Sequence, residues 1–416
     1  MKGTRIALPI ALLAAAAGLR ADLLDSPMVR LGPELDLFLT AKARVEYDDN
    51  LFLGRPLNLP KAGTYYDLVP GLEFQYGKDL PLSGSFGISR RYRTFFDSKL
   101  RNLDDEQDSY NFAAVYEGGG PLRVETSATY AETARNTAEE TALSTGGAID
   151  GTLVRQTTYG QSIKAVYQFT EKTNAGIGVR HSSNRYDPFL RDVGPPVVYN
   201  TRGLFEYDSW AIPLDARYKY SEKLSVGLAL EVGESDLFNA RPDGSYYDTL
   251  GRKFGGLTFN WMVTDKLDCE LRMGMLSTSY KVRAYSDDSP SYSLRLSHSV
   301  TDKLNQGLII AQDASAAPNG GVSDGFQVGY DLNYNNSEAF RTFFRATYSM
   351  SGVTKPNDNP LLPPSQIDVE SANLVLGASY APDTHWVFSA NYSYTTNIAP
   401  GDYEVNRVSL EAAFRW

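Results

Sequence analysis

An antiparallel transmembrane β-barrel of about 18 strands is the fold class this 416-residue sequence predicts, on three observations. Long runs alternate apolar and polar residues with the two-residue period of a strand that shows hydrocarbon one face and water the other. Tight polar turns alternate with long connections along the whole chain. Aromatic residues stand at both ends of the runs, where amphipathic rings prefer the boundary between lipid and water.

Composition agrees. The chain is long enough for two or three soluble domains, yet large barrels of this length form one unit. No long uncharged apolar run follows Ala17 and the mean hydropathy is negative, so helical spans are excluded while a barrel, needing only every second residue apolar, is not. Tyr 27 and Phe 19 against Trp 4 is a usage suited to strands and interface belts. At the start, Lys2 and Arg5 precede the apolar run Ile6 to Ala17, the layout of a signal peptide over residues 1–21, with cleavage after Ala17 or Ala21. Removing those two cations takes the formal net charge from −10 to −12, so a nucleic-acid partner has no electrostatic support. The lone Cys269 permits no disulfide framework and reads as an apolar wall residue.

After a short lead-in at 22–33, the barrel is expected to occupy 34–416. In the first strand Leu35, Leu37, Leu39, Ala41, Ala43, Val45 and Tyr47 alternate with Asp36, Phe38, Thr40, Lys42, Arg44 and Glu46. Charges at every second position have no place in a dry core. The second run sets Tyr66, Leu68, Leu72, Phe74 and Tyr76 against Asp67, Glu73 and Gln75; in the third, Leu82 to Phe96, Arg90 falls on the apolar face. Paired runs flank each tight turn from there on, ending with Trp386 to Tyr394 and then Arg407 to Trp416.

The tight turns are centred on Gly77-Lys78-Asp79, Gly118-Gly119-Gly120, Thr170-Glu171-Lys172, Ser221-Glu222-Lys223, Thr264-Asp265-Lys266, Thr301-Asp302-Lys303, Asn335-Asn336-Ser337 and Ala381-Pro382-Asp383. Beside them sit Tyr76, Tyr116, Trp261, Tyr334, Tyr380, Trp386 and Trp416; at the far ends sit Tyr47, Tyr66, Tyr92, Tyr110, Tyr130, Tyr159, Trp210, Tyr292, Tyr348 and Tyr394. A propeller also repeats polar turns, but divides each period into four short strands rather than two long ones. The long connections, Glu132 to Leu153, Asn184 to Thr201, Ser235 to Tyr246, Asp313 to Ser323 and Ser351 to Ser365, are expected on the extracellular side. They read as surface loops first; an inward-folded constriction is the sharper alternative.

The alternation also names the expected pore lining. Its bases include Lys42, Arg44, Arg91, Arg93, Arg123, Lys164, Arg180, Arg217, Lys219, Arg272, Arg295, Arg341 and Arg345; its acids include Glu73, Glu125, Glu231, Glu270 and Asp331. Most should pair across strands and keep the wall soluble. Arg91, Arg93, Arg341 and Arg345 are expected to cluster and bias the pore toward anions, although the two signs nearly balance.

Catalysis has little to stand on. His181 and His298 fall on the lipid-facing register and His385 lies beside a turn, so no histidine meets a nucleophile. No metal-ligand, phosphate-loop or calcium-loop pattern occurs, and the acids of Asp104-Asp105-Glu106 and Asp287-Asp288 read as solvated loop charges. No enzyme, cofactor or metal is expected.

Two resemblances follow from these residues. The terminal strand, with Phe414 and the final Trp416, resembles the C-terminal signature of bacterial outer-membrane barrels, which their assembly machinery reads. Tyr47-Asp48-Asp49-Asn50-Leu51-Phe52-Leu53, followed by many alternating strands, resembles the β-barrel porin type 2 family. That resemblance implies a Gram-negative outer-membrane porin, in contact with lipid and lipopolysaccharide, and leaves open a conduit for exopolysaccharide. Passive diffusion of small hydrophilic solutes is the leading expectation, because about 18 strands leave a lumen wide enough to stay wet. A blocked structural or adhesive barrel is the third class. Nothing in the sequence singles out an oligomer interface.

Overall fold

The computed structural model describes residues 28–32, 34–51, 62–78, 80–136, 153–187, 205–239, 246–282, 286–316, 322–355, 365–399 and 403–416. Their strands are β1 (Val29–Arg30), β2 (Leu35–Asp48), β3 (Gly63–Tyr76), β4 (Leu82–Phe95), β5 (Asp105–Glu117), β6 (Leu122–Asn136), β7 (Leu153–Gln168), β8 (Thr173–Asp187), β9 (Phe205–Lys219) and β10 (Leu224–Asn239). The series continues with β11 (Tyr246–Thr264), β12 (Leu267–Tyr280), β13 (Ser286–Ser299), β14 (Leu304–Ala316), β15 (Val322–Asn335), β16 (Phe340–Lys355), β17 (Ser365–Tyr380), β18 (Trp386–Ala399) and β19 (Tyr403–Arg415). From β2 onward each strand pairs antiparallel with the next, and β19 returns to β2, giving a closed 18-strand barrel. Closure satisfies the backbone groups that an open sheet edge would leave unpaired. Among the described residues the only helical segment is the short 3-10 turn Ser98–Leu103.

The expected hairpins occur at each tight turn. Gly77 and Gly119 take positive φ of 68° and 73°, which explains glycine there. In the last turn the Asp383 carboxylate accepts the backbone N–H groups of His385 at 2.8 Å and Trp386 at 2.9 Å. Those bonds hold its pKa below the usual carboxylate range. Its contribution is therefore present above the unfolded pKa and lost as pH falls through the folded one.

The strands outrun the sequence reading at the opposite end. β6 continues to Asn136, β10 to Asn239, β14 to Ala316 and β16 to Lys355, into segments expected to be loop. Once both faces meet water, alternation is no longer required, but backbone pairing still is. The remainder of those connections lies outside the described residues, as do the expected signal segment, most of the lead-in, and Phe52 and Leu53 of the quoted motif.

The outward face is apolar. Leu228, Leu230, Ile163, Leu376 and Leu410 are all exposed on it. From Trp386 to Tyr394, eight steps of tilted strand rise roughly 20 Å between aromatic ends, close to the apolar band of such barrels. Cys269 also falls on this face, opposite Trp261 and Leu296 in register. Arg90 does face outward; its register partner Asp108 takes its guanidinium at 2.6 and 2.8 Å, near the tyrosine end of the strand.

The seam between β19 and β2 is heavily bonded. The Leu39 N–H donates to the Trp416 carbonyl at 2.7 Å and the Trp416 N–H to the Leu39 carbonyl at 3.0 Å. At the other end the quoted motif holds the closing strand. Arg407 donates to Asp48 at 2.6 Å, Asn406 donates twice to Asp49 at 2.7 Å, and Asn50 donates to the Glu404 carbonyl at 2.8 Å. Asn50 thus pins β19. Asp49→Ala should cost about 2 kcal/mol, the loss of two bonds to a charged acceptor, read as a lower temperature for loss of the compact form in electrophoresis.

Candidate pore lining

Strand register places every charged residue expected in the pore on one face of the wall. Lys42 and Arg44 stand opposite Ala413 and Glu411 on β19; Asp67, opposite Arg44, in turn faces Arg93. The same parity carries Glu73, Arg91, Glu125, Lys164, Arg180, Arg217, Glu231, Glu270, Arg272, Arg295, Asp331, Arg341 and Arg345 around the ring. Arg123, opposite Val166, belongs with them.

That face is the concave one. Lys164 reaches Asp215 at 2.7 Å across β8, Arg180 reaches Glu231 at 2.5 Å across β9, and Arg415 reaches Glu73 at 3.2 Å across β2. Arg252 reaches Asp313 at 2.8 Å across two strands. Side chains from non-neighbouring strands meet where the wall curves toward them and diverge where it curves away.

Two charged groups organise the interior. On one wall Arg93 forks onto Asp67 at 2.8 and 3.0 Å and lies over the Tyr65 ring, 4.1 Å from its centroid. Arg91 lies 3.9 Å from Asp67, Arg44 pairs with Glu46, and the Tyr65 hydroxyl donates to Glu46. On a far wall the nearly buried Glu231 is shared by Arg180, by Arg252 at 3.1 Å and by Arg272 at 3.9 Å. Arg272 stacks on Phe254 at 4.0 Å. Each group holds more arginine than carboxylate, and fork geometry fixes the guanidinium planes.

The expected cluster of Arg91, Arg93, Arg341 and Arg345 does not form. Arg341 and Arg345 belong to β16, and β17, β18, β19, β2 and β3 separate them from β4. Residues of like register parity share a face but not a sector, and the sequence alternation specifies only the face. Arg345 stands opposite Asp331 and Arg295 opposite Glu270, but among the described residues Arg295, Arg341 and Arg345 form no ion pair within 4.0 Å. Lys42 pairs with Glu411 at 3.3 Å and Arg123 with Glu125 at 2.9 Å. Arg217 is 4.0 Å from Asp215.

Sequence reasoning missed Arg252, Arg407 and Tyr65 as interior groups. Arg252 precedes the run read as a strand, Arg407 opens the terminal run, and Tyr65 sits one residue before the second; extending each alternation by a few residues would have found them. The histidines fall where the register put them. His298 faces outward and bonds Gln306 at 3.0 Å; His181 faces outward opposite Gln161 and Trp210; His385 Nδ1 lies 3.1 Å from the Arg415 carbonyl. Asp104 accepts the Phe95 N–H at 2.8 Å and Asp105 takes Arg155 at 2.6 Å, so those two acids tie down a connection. Asp287 and Asp288 lie on β13 rather than in a loop.

No family model matches the sequence, and no curated protein matches it. Solved structures of similar shape do exist. Pseudomonas aeruginosa OpdQ aligns over 92% of this chain and 98% of its own at 10% identity, with a TM-score of 0.47. P. aeruginosa OpdK, solved with vanillate, aligns over 92% and 99% at 11% identity and 0.46; Acinetobacter baumannii OccAB4 over 93% and 100% at 11% identity and 0.45.

Proposed function

We propose that this chain is a Gram-negative outer-membrane channel through which small hydrophilic solutes diffuse passively. The observation that carries the reading is the sorting of faces: the outward wall is apolar over roughly 20 Å, while the concave wall is studded with both signs of charge. Charges so placed are stable only against water, and a barrel of about 18 strands is too wide for its side chains to fill. The short turns and both chain ends then lie in the periplasm, the long connections outside. Residues 1–21 direct export, and Phe414 and Trp416 present the terminal strand to the assembly machinery. Both are outward-facing, and Phe414 packs on Trp386 with ring centroids 4.8 Å apart.

The test is single-channel recording on the detergent-refolded protein in planar bilayers. Steady, ohmic steps in salt are expected, with transient block by permeating oligosaccharides. A folded barrel that inserts and passes no current would defeat the channel and favour a blocked structural wall.

A further inference from the structure

Arg44, Arg91, Arg93, Arg180, Arg252 and Arg272 all pair with carboxylates, whereas Arg341 and Arg345 on β16 form no ion pair among the described residues. The acid opposite Arg345 leans the other way. Asp331 lies over Gly307 of β14, where a Cβ would collide with its carboxylate, and it accepts the Asn333 amide at 3.3 Å. Two guanidinium groups are thus left on the concave face, near the tight-turn end of β16, with their charge unanswered.

Phe343 stands between them on the same face, two residues from each. The tip of its ring extends over Gly377 of β17, where a Cβ would collide both with the ring and with the Asn391 carboxamide reaching in from β18. Glycine lets the ring lie along the wall. Phe343 is only half-buried, and the Arg345 guanidinium is 5.2 Å from its centroid, against 4.0 Å for Arg272 on Phe254. The polar side chains around the ring are amides and hydroxyls: Asn333 and Asn335 on β15, Ser379 on β17, and Asn391, whose Oδ1 has no hydrogen-bond partner.

The guanidinium groups match a carboxylate, the electron-rich ring face matches electropositive C–H bonds, and the amides match hydroxyls. A sugar acid carries all three on one pyranose ring. An aromatic acid meets the first two and leaves the amides without partners. We propose that Arg341, Phe343 and Arg345 form a binding subsite for sugar acids, in which Phe343 stacks on a C–H face of the pyranose and the arginines take its carboxylate. The inference rests on the channel reading above and names one class of solute for it.

Single-channel recording with glucuronate tests it. Glucuronate should interrupt the current in proportion to its concentration, whereas glucose, without a carboxylate, and acetate, without a ring, should need about tenfold more. Phe343→Leu keeps the apolar bulk and loses the flat face, and should raise the half-blocking concentration about fivefold. Arg341→Gln with Arg345→Gln should raise it about tenfold or more. Steady steps in plain salt show that each variant has folded. If the parent channel conducts and glucuronate interrupts it no better than acetate, or the variants respond as the parent does, the subsite is overturned and the channel stands. Benzoate acting at lower concentration than glucuronate would overturn the choice of a sugar acid. A folded chain that passes no current overturns both readings.

Discussion

Leu410→Arg should lower the folding free energy in bilayers by about 2–4 kcal/mol, the cost of a cation near the midplane of a lipid-facing wall. Leu410 is 62% exposed, in the middle of the apolar belt, paired with Val45 on one side and Ala390 on the other. Its neighbour in space, Ser389, is directly opposite Glu411 but on the concave face. Ser389→Arg places the same cation beside an acid in water and should change stability by less than about 1 kcal/mol. Urea unfolding of both variants in lipid vesicles measures the contrast. Equal costs would mean that the two faces meet the same medium, and the membrane assignment would fail.

Glu231→Gln should shift the reversal potential in a salt gradient strongly toward anions. The side chain is only 5% exposed and is the shared partner of Arg180, Arg252 and Arg272. Neutralising it leaves three guanidinium groups facing the lumen with Asp313 as the remaining acid, 2.8 Å from Arg252. The stability cost should stay near 1–2 kcal/mol, because Arg180 and Arg272 are each about half exposed and the amide keeps some hydrogen bonds. An unchanged reversal potential in a conducting variant would show that permeating ions do not pass this wall. Arg345→Gln, on a residue with no ion-pair partner among the described residues, should move the potential the other way and by less.

Much of this was legible in the residues. Lys42, Arg44 and Glu46 between Ala41, Ala43 and Val45 suffice to say that one face is wet and the other is not, because successive side chains point to opposite sides of a strand. The hairpins were equally legible, since Gly119 at positive φ and the Ser, Thr and Asp side chains of the other turns act locally. The strand ends were not. Asn136 and Asn239 continue their ladders beyond the last alternating pair, where backbone pairing alone holds the strand.

What the sequence determined by itself was parity: which residues share the inner face and which the outer, and that the strand count is even. Only the tertiary structure decided proximity around the ring. It parted Arg93 from Arg345, brought Arg252 and Arg272 to one glutamate, and turned Asp48, Asp49 and Asn50 into the clasp on the closing strand. A period of two is a property of each strand's own backbone, whereas sector and depth depend on how eighteen strands stagger and close.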